Sequence, residues 1–410
     1  MKYLVLLGDG MADFPLEECG GHTPLFVAQT PAMDQAAREG ICALFCPIPE
    51  AYPAGSDIGN LSVFGYDPAQ TFTGRAPLEA VNQGIDLGQD KIAFRCNLVT
   101  LQDDRMADFT AGHISSEEAA ELIGALNETL GGPDLHFNPG VSYRHLTIVT
   151  PEADAFDRLT ALRCTPPHDI IDQSIAAHLP CGNGSEYVIG LMERSRKILN
   201  EHPVNKARRD AGQPPATSIW LWGQGGAPSL KTFSERFGMQ GAVISAVDLV
   251  NGIGRCAGLE VIHVPGATGY LDTDYAGKVD AALTALETVD FVYLHVEAPD
   301  EAGHEGNAEL KIQAIEDFDA KVVAPCLQYA AKRGDMRILI APDHVTSVAS
   351  RTHAGGPVPF ALWGTDIEAN ACATYSEDAA AACGVLFPKG HELVPRMLDA
   401  QRILTQANPM

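Results

Sequence analysis

The chain reads as an α/β protein: a core with a mainly parallel sheet flanked by helices, and a smaller α/β domain inserted into it. Three observations predict this. Short β-rich runs at 290–296 (DFVYLHV), 337–341 (RILIA) and 359–363 (PFALW) alternate with long helical patterns, the signature of strands buried on both faces. A stretch in the middle of the chain carries strand and helix signals of its own between proline clusters. At 410 residues the chain is also too long for one typical domain.

Taken in order, MKYLVLLGDG predicts a first strand that stops at Gly8-Asp9-Gly10. The apolar run is too short for a signal peptide and lacks a cleavage site. PAGSDIGN at 53–60 predicts a tight turn into a helix. The middle segment contains IAFRCNLVTL, SSEEAAELIGALNETL, YRHLTIVT and EYVIGLMERSRKIL. Its first helix has Ser115 or Ser116 as a cap ahead of Glu117 and Glu118. Pro77 and Pro214-Pro215 flank this segment, which predicts a discontinuous core of 1–76 and 214–410 and an insert of 77–213. At 307–332, Ile312, Ile315, Phe318, Val322 and Cys326 recur at helical steps and predict one long helix. The last residues, 406–410, are expected to fray.

Composition narrows the function. With 53 acidic against 28 basic residues the formal charge is −25, which argues against nucleic acid or an anionic membrane as a partner. No apolar run approaches the length of a membrane span. Ten cysteines without a CxxC pair, and no export signal, predict free thiols in a reducing cytoplasm.

Metal-binding residue types cluster just after predicted strands. They are Asp9, the pair Asp300 and His304, the pair Asp343 and His344, and then His353. In parallel sheets, ligands sit beyond the carboxyl ends of the strands. A strand-end aspartate by itself is more often a turn or cap residue, and a lone histidine in a glycine-rich loop is common. Their joint occurrence after successive strands favours a metal site. Carboxylates with imidazoles, and no cysteine nearby, suit manganese, zinc or magnesium in a catalytic centre. Six such ligands suffice for two divalent ions, which can hold the attacking and leaving oxygens of a phosphoryl group. Asp300 and His304 are expected in a loop that turns at Gly303.

Ser56 stands at the predicted turn into a helix, where backbone N–H groups face a phosphate. An ordinary cap is the bland reading. Beside a divalent ion its hydroxyl would become a nucleophile near neutral pH.

Asp9-Gly10, GSDIGNLSVFGYDP at 55–68, TGRAPLEA at 73–80, AGHIS at 111–115, PDEAGHEG at 299–306, APDHVTS at 341–347 and THAGGPVP at 352–359 resemble the archaeal-type cofactor-independent phosphoglycerate mutases. These belong to the alkaline phosphatase superfamily. The resemblance covers nearly the whole chain. It implies an alkaline phosphatase-like core with two divalent ions, usually manganese, and an inserted substrate-binding domain. It implies Ser56 as the phosphorylated nucleophile. One ion would take Asp300, His304 and His353; the other would take Asp9, Ser56, Asp343 and His344. The implied reaction moves phosphoryl from 3-phosphoglycerate to Ser56 and back to the other hydroxyl, giving 2-phosphoglycerate, in a site closed against water.

The resemblance also implies that His113 meets the phosphoserine side, while Lys231 is the candidate for the transferring phosphoryl. Arg144, Arg163, His168, Asp169, Arg208 and Arg209 are candidates for the substrate's carboxylate and phosphate. One segment departs from the archaeal pattern. SIWLWGQG at 218–225 has no arginine where a leucine-rich strand ending in Arg-Gly is usual. Family members with Trp-x-Trp-Gly have been proposed as bacterial homoserine kinases, so a homoserine kinase-like transferase and a plain metal-dependent phosphatase stand as alternatives. No GxxxxGK[ST] loop is present. Oligomeric state is not legible.

Overall fold

A computed structural model describes all residues except 153, 400–407 and 410. The chain divides into two compact units, 1–72 with 230–410, and 73–229.

In the larger unit the first strand, Lys2–Gly8, lies at the centre of a nine-stranded sheet. It pairs in parallel with Phe291–Val296 on one side and Met336–Ala341 on the other. Gly241–Ile244 and Glu260–Val261 extend the parallel set outward. On the other flank Val358–Gly364 runs antiparallel to Met336–Ala341, and Ile41–Phe45 runs antiparallel to it in turn. Val385–Phe387 then lies parallel to Ile41–Phe45. The sheet is therefore mixed. The PFALW strand is reversed because the chain leaves the sheet after Ala341, forms the hairpin of Val345–Ser347 and Thr352–Ala354, and re-enters from the same edge.

The central strands are buried on both faces, which is why they read as unbroken apolar runs. Leu4, Leu6, Val292, Leu294, Ile338 and Ile340 share one core with Met33, Ala36, Phe318 and Val322 from the covering helices. Each fully buried leucine contributes roughly 1.5–3 kcal/mol relative to exposure.

The expected long helix is present with a widened turn. Ala308–Phe318 and Ala324–Arg333 are α-helical, and Asp319–Val323 between them is a π turn. Pro325 explains the defect: it has no N–H to give, and its ring crowds the carbonyl four residues back. The turn delivers Asp319 to the helix Pro31–Glu39, whose own cap residue Thr30 makes no capping bond. Asp319 accepts instead from the Ala32 and Met33 amides, at 3.2 and 2.7 Å.

The smaller unit carries an all-antiparallel sheet. Ile92–Gln102 is its spine, pairing with Arg105–Asp108, Arg144–Val149 and Ser218–Gly225, and Leu135–Asn138 adds to Arg144–Val149. Helix Ser116–Leu130 packs on it, begun by Ser115, whose hydroxyl accepts from the Glu118 amide at 3.2 Å. The boundary differs from the proline-based expectation. Ser218–Gly225 is a strand of this sheet, so residues 214–229 and 73–76 go with the smaller unit. Pro77 stands in the first turn of helix Arg75–Asn82, and Pro214-Pro215 in the segment that leads into Ser218–Gly225. Of the tail expected to fray, residues 406, 407 and 410 lie outside the described set, while Asn408–Pro409 pairs with Val385 and Leu386.

No helix among the described residues is long and apolar enough to cross a membrane. The described cysteines are all free thiols. Removing the remote cap should be costly. Asp319→Ala is expected to lower the unfolding free energy by about 2 kcal/mol, the scale of hydrogen bonds to a charged group, as read by urea denaturation.

Candidate active site

Register alone assembles the centre. Gly8 is level with Val296, and Leu7 with Ala341. One residue further on, Asp9 and Glu297 leave the sheet together, and Asp343 follows two residues after Ala341. Ile41–Phe45 points the same way and leads through residues 46–55 to Ser56, the first residue of helix Ser56–Val63.

Asp300 and His304 do not lie in a loop. They stand one turn apart on helix Ala298–Glu305, which starts through Pro299 and stops at Gly306 in the left-handed region. The four-residue spacing puts both side chains on one helix face. His304 Nε2 lies 3.3 Å from Asp300 Oδ2, and His353 Nε2 lies 3.4 Å from Asp300 Oδ1. The two imidazole Nε2 atoms are 2.9 Å apart, and His304 Nδ1 donates to the Arg351 carbonyl. Next to this group, His344 Nε2 is 3.3 Å from Asp9 Oδ1 and 3.4 Å from Asp343 Oδ2. Ser56 Oγ is 3.1 Å from the same nitrogen. The structure thus brings together Asp9, Ser56, Asp300, His304, Asp343, His344 and His353.

Helix Ser56–Val63 is seated by Asn60. Its amide donates to the Ser56 carbonyl at 3.0 Å and to Asp343 Oδ2 at 2.6 Å, and its oxygen accepts from the Tyr293 hydroxyl at 2.8 Å. Gly59 makes this approach feasible, since a Cβ there would meet the Asp343 carbonyl oxygen at 2.5 Å.

Three participants were missed in the sequence. His295 Nε2 is 2.8 Å from Asp9 Oδ2 and 3.5 Å from Glu297 Oε2, and its Nδ1 faces Ser245 Oγ at 3.1 Å. Asn60 is the third. The available signal was a polar residue in an apolar strand, FVYLHV, and a buried polar group is the informative exception.

Burial and mutual repulsion govern the electrostatics. Asp9 is pushed well above the usual carboxylate range by burial and by Asp343, Glu297 and Asp300. Burial raises Asp343 to about 7 and, together with Asp300, raises Glu297 to about 8. For Asp300, burial pushes upward, but hydrogen bonds from His304 and His353 prevail and hold it well below the usual range. Burial alone would lower His304, yet its bond to Asp300 lifts it to about 9. Desolvation depresses His344 and takes His295 to about 3.

These residues fit a divalent cation. Asp9 Oδ1 and Glu297 Oε2 are buried without a hydrogen-bond partner. Three groups bring their ligand atoms within 4.8 Å of one another: Asp300, His304 and His353; Asp9, Asp300 and His344; and Asp9, His295 and Glu297. Oxygen and imidazole donors converging in a dry, acidic place are the donor chemistry of a divalent site.

The remaining candidates are distributed differently. In the smaller unit, rings form a row: His113 near Tyr143, Tyr143 against Phe109, Phe109 against His168, and His168 against Trp222. Arg144 lies over Tyr143, and Arg75 and Arg95 lie over Trp222. His113, Arg144 and His168 therefore share one aromatic row, with Asp169 beside His168 at 3.6 Å. Arg208 has a different job. Its guanidinium is buried, pairs with Glu118 at 2.6 Å and donates to the Ala111 and Pro214 carbonyls, so it builds the unit and has no free face for substrate. Arg209 is exposed and donates to the Asn200 carbonyl; Arg163 is exposed beside Cys181. Lys231, in the larger unit, is exposed, with its carbonyl accepting from Tyr66 at 2.8 Å. The WLWGQG segment is a buried strand; Trp220 donates to the Thr165 carbonyl and Trp222 to Asn97 Oδ1.

A carboxylate–imidazole centre past the ends of parallel strands, with a serine at a helix start inside it, defines the class: a metal-dependent phosphoryl-transfer enzyme. Comparison with known proteins gives the family. A profile described as 2,3-bisphosphoglycerate-independent phosphoglycerate mutase matches residues 37–205. A Geobacter sulfurreducens protein described as a probable enzyme of that name is 53% identical over 97% of this chain and 100% of its own. A Methanothrix thermoacetophila protein of that name is 51% identical over 98% of this chain and 100% of its own. Among solved structures, a Pyrococcus horikoshii protein superposes with a TM-score of 0.80 at 30% identity, covering 100% of this chain and 98% of that one. A cofactor-independent phosphoglycerate mutase from Thermoplasma acidophilum gives 0.61 at 25% identity, with 99% of each chain covered. The chain belongs to the 2,3-bisphosphoglycerate-independent phosphoglycerate mutase family.

The direction of these shifts sets the sign of a pH effect. Asp343, Glu297 and His304 have folded values raised above their unfolded ones, so the native state holds the extra protons. Their stabilising contribution is present at lower pH and is lost as pH rises through about 7 to 9. His295 and His344 are lowered, and act only below about pH 6.5. The metal-free protein is therefore expected to lose thermal stability from pH 6.5 to 9. Saturating divalent metal should flatten that slope, because binding displaces the same protons. Thermal melts across pH, with and without metal, check this.

Proposed function

We propose that this chain interconverts 3-phosphoglycerate and 2-phosphoglycerate without 2,3-bisphosphoglycerate, through phosphorylated Ser56. The observation that carries the reading is Ser56 itself. It stands at a helix start, half-buried, with its hydroxyl 3.1 Å from His344 in the midst of the carboxylate–imidazole set. Full-length relatives at half identity bear the mutase name.

Two divalent ions, manganese first and zinc or magnesium as alternatives, fit the donor set. Asp300, His304 and His353 would hold one; Asp9, Ser56, Asp343 and His344 would hold the other. Bound there, such ions lower the proton affinity of a hydroxyl and offset phosphoryl charge. Ser56 Oγ attacks phosphorus, the bond to the substrate oxygen breaks, and that oxygen leaves as a hydroxyl once protonated. In the return step the second glycerate hydroxyl attacks the phosphoserine and Ser56 recovers its proton. Asn60 holds the Ser56 backbone against Asp343, so the nucleophile is positioned by a side-chain bridge at both ends. The amides of the first turn after Ser56 face the transferred group with the positive end of the helix.

We assign the substrate's carboxylate to the polar groups along the aromatic row, Arg75, Arg144, His113 and His168, and its single phosphoryl group, the one transferred, to Lys231. Arg163, Asp169 and Arg209 are left as outlying candidates. Because the Trp-x-Trp segment serves the core of the smaller unit, it does not favour a homoserine acceptor. A small phosphorylated acid of glycolysis as substrate supports a cytoplasmic location.

Purified protein loaded with manganese is expected to form 2-phosphoglycerate from 3-phosphoglycerate without added bisphosphoglycerate, read by coupling to enolase. No turnover, with ATP-dependent phosphorylation of homoserine instead, would overturn the reading. Ser56→Ala should lower kcat by at least a thousandfold while leaving metal content nearly intact; retained activity would remove Ser56 from the nucleophile's role.

A further inference from the structure

Thr346 connects the two groups of ligands, and we propose that it is a positioning residue that sets the geometry of both; this rests on the metal-centre reading above. Thr346 lies in the short strand Val345–Ser347, fully buried. Its hydroxyl donates to Asp300 Oδ1 and also meets His344 Nδ1 at 3.1 Å.

A hydroxyl has one proton and two acceptor positions. The carboxylate of Asp300 can only accept, so the single Thr346 proton goes there. The contact with His344 must then run the other way, from Nδ1–H to Thr346 Oγ1. That fixes the tautomer of His344. Its Nε2 carries the lone pair, and Nε2 is the atom that faces Asp9, Asp343 and Ser56. One hydroxyl thus aims a carboxylate from one group and an imidazole from the other. Partners of this kind orient metal ligands and are felt in metal affinity.

Thr346 is itself anchored from below. Its amide donates to the Ala12 carbonyl at 3.2 Å. The buried ammonium of Lys311 donates to the Thr346 and Ala12 carbonyls and to Asp13 Oδ2, and Asp13 Oδ2 accepts further from the Val348 amide. On the upper side Gly10 leaves room. At φ +56, a Cβ on Gly10 would meet Thr346 Oγ1 at 2.2 Å and Asp300 Oδ1 at 2.6 Å. The glycine of the Asp9-Gly10 motif is therefore accounted for by the threonine of APDHVTS, some three hundred residues away in the chain.

The test is metal binding to the full-length, metal-stripped protein, followed by titration calorimetry with manganese. Thr346→Val keeps the shape and removes the hydroxyl, and should weaken manganese about ten- to hundredfold. Thr346→Ser keeps the hydroxyl and should bind within about threefold of the wild type, on the same scale. Nitrogen-15 NMR of the metal-free wild type should show His344 protonated at Nδ1. Three results would overturn the proposal: full affinity in the valine variant, an equal loss in the serine variant, or His344 protonated at Nε2. The NMR readout stands even if the valine variant does not fold. A wild type that binds no manganese would instead sink the metal-centre reading on which the proposal rests.

Discussion

Carboxylate charge concentrated in a dry place is the constraint on which the larger unit depends. Asp9, Asp300 and Asp343 are fully buried beyond the ends of three adjacent parallel strands, with Glu297 beside them. Two like charges about 4 Å apart repel by about 4 kcal/mol at an effective dielectric of 20. Proton uptake, shown by the raised Asp9, Asp343 and Glu297, is the response available to the polypeptide alone. A bound divalent cation is the other. Much of the local architecture serves one or the other. The Gly10 amide donates to Asp343, Asn60 donates to it as well, and His295 sits against Asp9.

Two buried ammoniums show the same logic at the next layer. Lys311 pairs with Asp13 beneath the centre, and Lys278 donates to the His295 carbonyl with its proton affinity lowered by burial to about 8. Buried pairs of this sort add little net stability, but losing one partner strands the other charge at a cost of about 3–5 kcal/mol. Their use here is to hold the backbone around the ligands in one arrangement. The π turn works in a comparable way, since a proline-induced defect sends Asp319 to cap a helix that lacks a cap of its own.

The smaller unit follows different rules. Its sheet is antiparallel, its core is built around Ile92–Gln102, and its polar residues divide by role. Buried Arg208 pairs with the partly exposed Glu118 and fastens helix Ser116–Leu130 to the loop at Ala111 and to Pro214. Arg144 instead lies over the Tyr143 ring, and His168 meets Phe109 and Trp222 edge-on. Equal residue type and nearby sequence position did not separate Arg208 from Arg209. Burial did.

The sequence by itself determined the strands that end at Gly8, Val296 and Ala341, because strands buried on both faces must be apolar throughout and stop where polar residues begin. It determined that Asp300, His304, Asp343, His344 and His353 follow such strands, and it carried the family motifs. It did not determine that Asp300 and His304 share a helix, since Ala-Pro-Asp-Glu-Ala-Gly-His serves equally well as a loop until a helix start is packed in place. Nor did it show His295, Asn60 or Thr346 at the centre. Their positions depend on strand register and on which backbones approach closely, and these are settled by contacts between residues hundreds of positions apart. The boundary of the smaller unit was decided in the same way: prolines signal a turn, but only pairing with Ile92–Gln102 says to which sheet the strand Ser218–Gly225 belongs.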